Sequence, residues 1–580
     1  MDSDSIIVSS NLTGAAKFVF KIIYRKRDIM TNKEFAEFLL PNVEHDFEYY
    51  ENLYPERKID DNAIVTRYAP SPTGLPHMGN LLSGFMAYCF AKQSNGVYFL
   101  RIEDTDTERT VENGVSKILD IMKDFDITFD EGMINDTDEV GSYGPYMQSK
   151  RKDIYQAYAR KLIEEDKAYP SFASKEELDE IREFQESTKQ RLGYYGRYAK
   201  DRHMTKEEAI ERINNGEKFV IRMKSPGDFF KTVIINDLIK GKIEMPENDI
   251  DEVIIKKDGL PTYHFAHAID DHLMHTTHVI RGDEWVSSTA KHLQIFDVLG
   301  FKHVKYAHLA PLLKNDNGTK RKLSKRKDPE AGLVYYIEQG IPVEAVKLYL
   351  ATIINSNFEA WLDANPGSDI SEFKFDFKKV GSSGGAIYDM EKLTNISKNY
   401  LSRLKATDVY DRILNWANTY DKDFASLISK YKDYTISILN IEREQKKPRK
   451  DFAKYSDVSN SIWYMFDELF DNKELSYDFK NITDKDEIKT ILSTYIDKYY
   501  DEADDKDTWF SKIKSLCDEL GYASDMKAYK ANPDSFKGNV ADVSTVIRVG
   551  LTTSSMTPDL YELLRLIGKE RIIKRFSRFY

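Results

Sequence analysis

The segment RYAPSPTGLPHMGN, Arg67 to Asn80, crowds three prolines, two glycines and one histidine into a bend between two apolar stretches. Ahead of it, AIVTRYA (Ala63 to Ala69) reads as a buried strand. Behind it, Leu81, Leu82, Phe85, Met86 and Cys89 share one face of a helix. A helix N-terminus offers unpaired N–H groups and partial positive charge, which suit phosphate. Pro76 is preset for the bend. Gly74 and Gly79 let backbone approach a ligand closely. His77 stands where strand hands over to helix, and in open parallel sheets ligands bind beyond the carboxyl ends of the strands. Taken alone, these residues equally describe an ordinary glycine-rich βα turn.

Working outward, VYFLRI (Val97 to Ile102) reads as a second strand, and Val111, Val115, Ile118, Leu119 and Met122 repeat at helical spacing. Strand, helix, strand, helix opens a parallel α/β sheet. The order then breaks. Residues 166–258 are charged, with short strands in KFVIRM and DEVIIKKDG, and read as an insertion. HVIRGDEW (His278 to Trp285) restores a strand and KHLQIFDVLG a helix, and from about residue 330 the pattern is mostly helical, charged and rich in tyrosine. Residues 1–62 form an N-terminal extension, and GSSGG near residue 383 suggests a junction.

At about 150 residues per domain, 580 residues imply three to five domains. The 41% hydrophobic content is enough for several cores. No run approaches the roughly 18 apolar residues of a membrane span. Cys89 and Cys517 make no ligand pattern, which fits a reducing cytoplasmic compartment, and no secretory signal is visible. The sequon Asn11-Leu12-Thr13 is read as chance in such a compartment. A net charge of −12 argues against general nucleic-acid binding. Local runs argue the other way: Lys314 to Lys327, KKPRK (Lys446 to Lys450) and the C-terminal tail are strongly basic. Any one of them reads most simply as a solvated face.

Within the first run, KRKLSKRK (Lys320 to Lys327) reads as a mobile cationic loop able to close on a triphosphate and stabilise charge in a transition state. Together, RYAPSPTGLPHMGN and KLSKR resemble the two signatures of the class I aminoacyl-tRNA synthetases, in the bacterial glutamyl-type pattern R-x-A-P-S-P-T-G followed by H-x-G. FLRIEDTD, GPYMQSKR, GLPTYHFAHAIDDHLMHTTHVIRGDEW and LYELLRLIGKERI agree in order, so the resemblance spans residues 63–580.

The resemblance implies a multidomain chain. A Rossmann-like catalytic domain occupies residues 63–165 and 259–310, split by an acceptor-end-binding insertion at 166–258. A stem-contact region with the KLSKR loop follows at 311–400, then an α-helical anticodon-binding domain at 401–580. It implies ATP-dependent activation of L-glutamate with Mg²⁺, then transfer to the 2′-hydroxyl of the terminal adenosine of tRNA(Glu). Arg67 and Arg281 match positions that grip the carboxylates, Glu103 the one that holds the ammonium, and Ser71 and Tyr263 hydroxyl contacts. Such charge pairing is a strong basis for rejecting analogues. His77 and Gly79 match the catalytic ATP signature, with Asn80 and Trp285 beside the nucleotide and Lys322 and Lys325 on the phosphates. Catalysis is then positioning and charge stabilisation.

Two positions depart from the pattern. Asn80 stands where the wider class has histidine, and His267 where a relative has asparagine near the glutamate. The stretch matching a cysteine-rich zinc site in some members reads YPSFAS, so no zinc is expected. His264, His267, His272, His275 and His278 are read as crossing a strand and a turn, so that their rings should not converge on a metal. A monomer is expected, with no membrane partner, and charging of tRNA(Gln) is left open. The alternatives are a glutaminyl enzyme, whose signatures usually read differently, and a catalytically dead RNA-binding paralogue, against which the intact His77, Gly79, Lys322 and Lys325 argue.

Overall fold

The computed structural model describes residues 30–106, 111–381 and 385–580. The sequon at Asn11, and Ser382 to Gly384 of the glycine-serine cluster, lie outside the described residues.

Strands Val65–Tyr68 and Val97–Leu100 are almost wholly buried, as expected when helices cover both faces of a parallel sheet. They pair in parallel, and Glu131–Met133 extends them on the far side. On the other flank Thr277 N–H donates to Val65 O at 2.9 Å, bringing the strand His278–Gly282 alongside, and Lys305–Leu309 pairs with it in parallel. The helix Met78–Gln93 lies against this sheet. Its Gly84 admits two rings, because a Cβ there would lie 3.2 Å from both Tyr68 and Tyr98. The second helix runs Gly114–Asp124, so Val111 is not part of it: Asn113, at φ 54°, precedes the first turn, and Val111 is instead tied to Pro72 O.

The stretch 166–258 contributes the three-stranded antiparallel sheet Ala168–Ser171, Val220–Met223 and Val253–Ile255. It also contributes the hairpin Thr232–Asp237 and Gly241–Pro246, which docks on the central sheet through Leu238 N–H to Tyr306 O at 2.9 Å. Residues 30–62 are integral to the same body. Thr31 and Glu34 form a capping box on the helix Asn32–Leu39, and Phe35, Leu39, Tyr50 and Tyr54 are buried. Arg57 grips Glu131 with two hydrogen bonds at 2.7 and 2.9 Å and stacks on Tyr143.

The basic run is not wholly a loop. Asn317 and Gly318 both have positive φ, the geometry of a tight hairpin turn, so Lys320 to Lys322 pair as a strand with Leu313 to Asn315. Only residues after Lys322 form an irregular flap. The glycine-serine cluster does not divide the cores either: Ala386 and Ile387 add to this hairpin, and one buried cluster continues to Leu393. A second, helical cluster runs from Leu401 to Phe576. Among the described residues no helix is long and apolar enough to cross a membrane.

Candidate active site

After Val65–Tyr68 the chain builds the sheet to one side, and with His278–Gly282 it resumes on the other. A ligand crevice is expected where the order reverses. There a cavity of about 150 Å³ is lined by Arg67, His77, Gly79, Asn80, Arg281, Trp285 and Lys322. Ser71 and Lys325 line an adjoining recess with His77 and Asn80. Bend and flap, some 240 residues apart in sequence, therefore meet, and the Lys325 ammonium donates to the Leu75 carbonyl.

His77 caps the helix Met78–Gln93. Its Nδ1 accepts the Asn80 backbone N–H at 3.1 Å, while Asn80 Oδ1 accepts the His77 N–H at 3.1 Å. Because Nδ1 must accept, the neutral ring carries its proton on Nε2. Burial, reinforced by Lys325 and Lys322, lowers the His77 pKa and favours that neutral form. Gly79 leaves room for the ring, since a Cβ there would lie 3.0 Å from His77 Cε1.

Arg67 is buried with Nε 3.2 Å from Asp271 Oδ1. The same oxygen accepts from Arg101 Nη1 at 2.8 Å, and Arg101 Nη2 donates to Glu103 Oε1 at 3.0 Å. Burial opposes charge on Arg101, but Asp271, Asp270 and Glu103 outweigh it and raise its pKa well above normal. Glu103 is pushed up by burial, with Arg101 and Arg67 pulling against the rise. Tyr263 opens the helix Tyr263–Leu273 and packs on Trp285, ring centres 4.4 Å apart. Burial, then Glu103, raises its phenol pKa.

Arg281 is held on two sides by acceptors. Its Nε donates to His308 Nε2 at 3.0 Å, and its Nη2 to Thr289 Oγ1 and His292 Nδ1, both at 3.2 Å. Its Nη1 is buried and has no hydrogen-bond partner among the described residues. Burial lowers the pKa of His292 and His308, which favours the neutral rings that can accept from a guanidinium.

The histidine run differs from the sequence reading. Residues 263–273 form a helix, not a strand, so His264 and His267 fall one turn apart and both meet His292: His264 Nδ1 lies 2.8 Å from His292 Nε2, and the His267 and His292 ring centres 4.5 Å apart. Of the five, only His264 and His267 come together, tilted against the His292 ring, which is hydrogen-bonded to His264 alone, while His275 sits in a left-handed turn and His278 begins the strand. Among the described residues no group of three His, Cys, Asp or Glu is placed to hold a metal ion. His267, the departure near the predicted amino-acid site, lies 2.7 Å from Asp271 Oδ2 through Nδ1 and 2.9 Å from the Tyr306 hydroxyl through Nε2.

The base of the flap is tied to a buried carboxylate. Asp328 accepts from Arg321 Nη2 at 2.8 Å, Lys314 Nζ at 3.0 Å and the Ser324 N–H at 3.0 Å. These bonds, the Arg321 one foremost, hold its carboxyl far below the ordinary range. Lys322 and Lys325 are thereby presented from a fixed base. Sequence reasoning missed Arg101, Asp271, His292, His308 and Asp328. Only a buried charge inside a polar-looking segment, such as Asp270-Asp271 in the middle of a helix, could have signalled them.

A family model described as the catalytic domain of class I tRNA synthetases (E and Q) matches residues 63–356, and one described as an anticodon binding domain matches residues 449–580. A glutamate–tRNA ligase of Clostridium perfringens (strain SM101) is 47% identical, with 95% of this chain and 100% of that protein covered. The Clostridium beijerinckii glutamate–tRNA ligase is 46% identical, covering 95% of this chain and 100% of its own. Coverage of that extent reaches into the residues before 63. The crystal structure of a glutamate tRNA ligase from Elizabethkingia meningosepticum, in complex with its amino acid, superposes with a TM-score of 0.70 at 26% identity, covering 89% of this chain and 99% of that one. The cavity at the sheet's reversal, the bend and the cationic flap thus lie in a chain that belongs to the class I tRNA synthetase (E and Q) family and, within it, to the glutamate–tRNA ligases.

Proposed function

We propose that this chain joins L-glutamate to tRNA(Glu) in two steps at the cavity beneath the flap. A glutamate α-carboxylate oxygen attacks the α-phosphorus of ATP, and the bond to pyrophosphate breaks. The 2′-hydroxyl of the terminal adenosine then attacks the acyl carbon, and AMP leaves. No protein nucleophile is required, so the chain's work is to bind, orient and neutralise charge.

Arg281 carries this reading. A buried guanidinium nitrogen without a partner costs more than a neutral donor in the same position, and an anion in the cavity relieves that cost. Arg67 lies in the same cavity. Two guanidinium groups match the two carboxylates of glutamate, whereas glutamine offers one carboxylate and leaves a buried cation unpaired. Glu103 then receives the substrate ammonium, and Ser71 and Tyr263 add hydroxyl contacts. His77 offers its Nε2–H, and Gly79, Asn80 and Trp285 bound the nucleotide. Lys322 and Lys325 meet the phosphates. Mg²⁺ accompanies ATP without a ligand set assigned from the protein, and no zinc is assigned. The helical C-terminus binds the anticodon, and the chain acts as a cytoplasmic monomer.

The test is glutamate-dependent ATP–pyrophosphate exchange in the presence of tRNA, followed by charging of purified tRNA(Glu) and tRNA(Gln). Exchange with glutamate but not glutamine is expected, and charging of tRNA(Glu). RNA binding without exchange under any tRNA would instead establish a catalytically dead paralogue.

A further inference from the structure

Arg281 is oriented by a pair of residues that no signature contains. His308 lies on the strand Lys305–Leu309, and Asp237 ends the first strand of the docked hairpin, in the stretch that splits the catalytic sheet. Both side chains are fully buried, and His308 Nδ1 lies 2.6 Å from Asp237 Oδ2. Because Arg281 Nε can only donate, His308 Nε2 must accept, so the ring proton is on Nδ1 and points at Asp237.

Asp237 has no slack. Its Oδ1 accepts the backbone N–H groups of Ile239 at 2.9 Å and Lys240 at 2.8 Å, while Oδ2 faces the His308 ring and the His308 N–H at 3.2 Å. Both oxygens are needed as acceptors, which only an ionised carboxylate provides. An asparagine would keep its oxygen on the two turn N–H groups and turn its NH₂ toward His308. The ring would then take the other tautomer and set an Nε2–H against the Arg281 Nε–H, donor against donor.

We propose that Asp237 and His308 are positioning residues that fix the Arg281 guanidinium so that its free Nη1 faces the substrate carboxylate, and that they thereby set the affinity and selectivity for glutamate. This rests on the reading of the chain as a glutamate-activating enzyme. The plainer role, a structural tie between hairpin and sheet, makes different predictions.

The experiment is steady-state exchange kinetics on the full chain with Asp237→Asn, His308→Phe and His308→Gln, with thermal melting and tRNA binding measured on each. Glutamine can present an acceptor oxygen to Arg281, whereas phenylalanine fills the space without one. Asp237→Asn and His308→Phe should raise the KM for glutamate about 10- to 100-fold, the scale of a misplaced binding group. The KM for ATP and the Kd for tRNA should stay within about twofold, and His308→Gln should recover most of the loss. In an Arg281→Lys background Asp237→Asn should add little, because both act through one guanidinium. An unchanged glutamate KM in folded Asp237→Asn overturns the proposal, as do equal losses for glutamate, ATP and tRNA. If His308→Phe does not fold, the folded Asp237→Asn alone decides. A wild-type chain without glutamate-dependent exchange would overturn the underlying reading itself.

Discussion

His77 Nδ1 accepts the Asn80 N–H, and Asn80 Oδ1 accepts the His77 N–H, both at 3.1 Å. The Nδ1 of this ring stabilises the helix start, and under the proposed function its Nε2–H meets an anion. His77→Asn separates them, since asparagine is a strong N-cap with no ring N–H beyond it. The melting temperature should hardly move, while adenylate formation falls on the order of 100-fold. Exchange kinetics beside calorimetry checks this, and parallel losses in both would show the ring to be structural only.

Gly79→Ala should likewise separate activity from stability. Alanine is the better helix former by up to about 1 kcal/mol, which offsets a loss of similar size at the disturbed His77 cap, so the melting temperature should hardly move. The new Cβ, 3.0 Å from His77 Cε1, must displace the ring. Activation should therefore slow in a protein of little-changed stability. An unaltered rate would mean the ring has room to yield.

Arg281→Ala removes the unpaired Nη1. The KM for glutamate should rise on the order of 100-fold or more, with tRNA affinity nearly unchanged. Filter binding of tRNA alongside exchange kinetics measures both, and equal losses would count against a carboxylate-binding role.

Lys325→Ala acts on the flap. Adenylate formation should slow on the order of 100-fold, while glutamate binding changes far less, because the ammonium neutralises charge that develops on the phosphates. Pre-steady-state measurement of adenylate separates the two, and a wild-type activation rate would remove this lysine from the mechanism.

Acid should destabilise the catalytic body through its buried histidines. Burial lowers His267 and His278 from 6.5 to about 4 and His264 to about 3. The unfolded chain then binds more protons than the folded one over this window. Their contribution is complete above pH 6.5 and is lost progressively as pH falls toward about 4. Each histidine adds a slope of at most about 1.4 kcal/mol per pH unit. Replacing His267 with asparagine should flatten the decline by about one histidine's share. Denaturant midpoints between pH 6.5 and 4 read this directly, and an unchanged slope would show that His267 does not titrate there.

Much of the scaffold was legible in advance because it is local. The strand before the bend and the helix after it follow from apolar periodicity. The misreadings were local competitions that periodicity does not rank. Val111 fits the helical spacing, yet Asn113 in a left-handed conformation starts the helix later. Asn317-Gly318 turned half of a basic run into a strand. A segment dense in histidine lacked an obvious apolar stripe, yet its helix places His267, Asp270 and Asp271 in the interior.

The order of the chain determined the sheet-bend-helix unit, the charge of the flap and the types of group offered to the cavity, because each depends on neighbours within a few positions. Tertiary structure alone decided how those groups are held. Arg67 meets Asp271 across 204 residues, and His308 meets Asp237 across 71. Such pairings arise from strands and a helix packed together in a shared core. No periodicity records them, since any buried carboxylate would satisfy the pattern and only the packed fold determines which one is within reach.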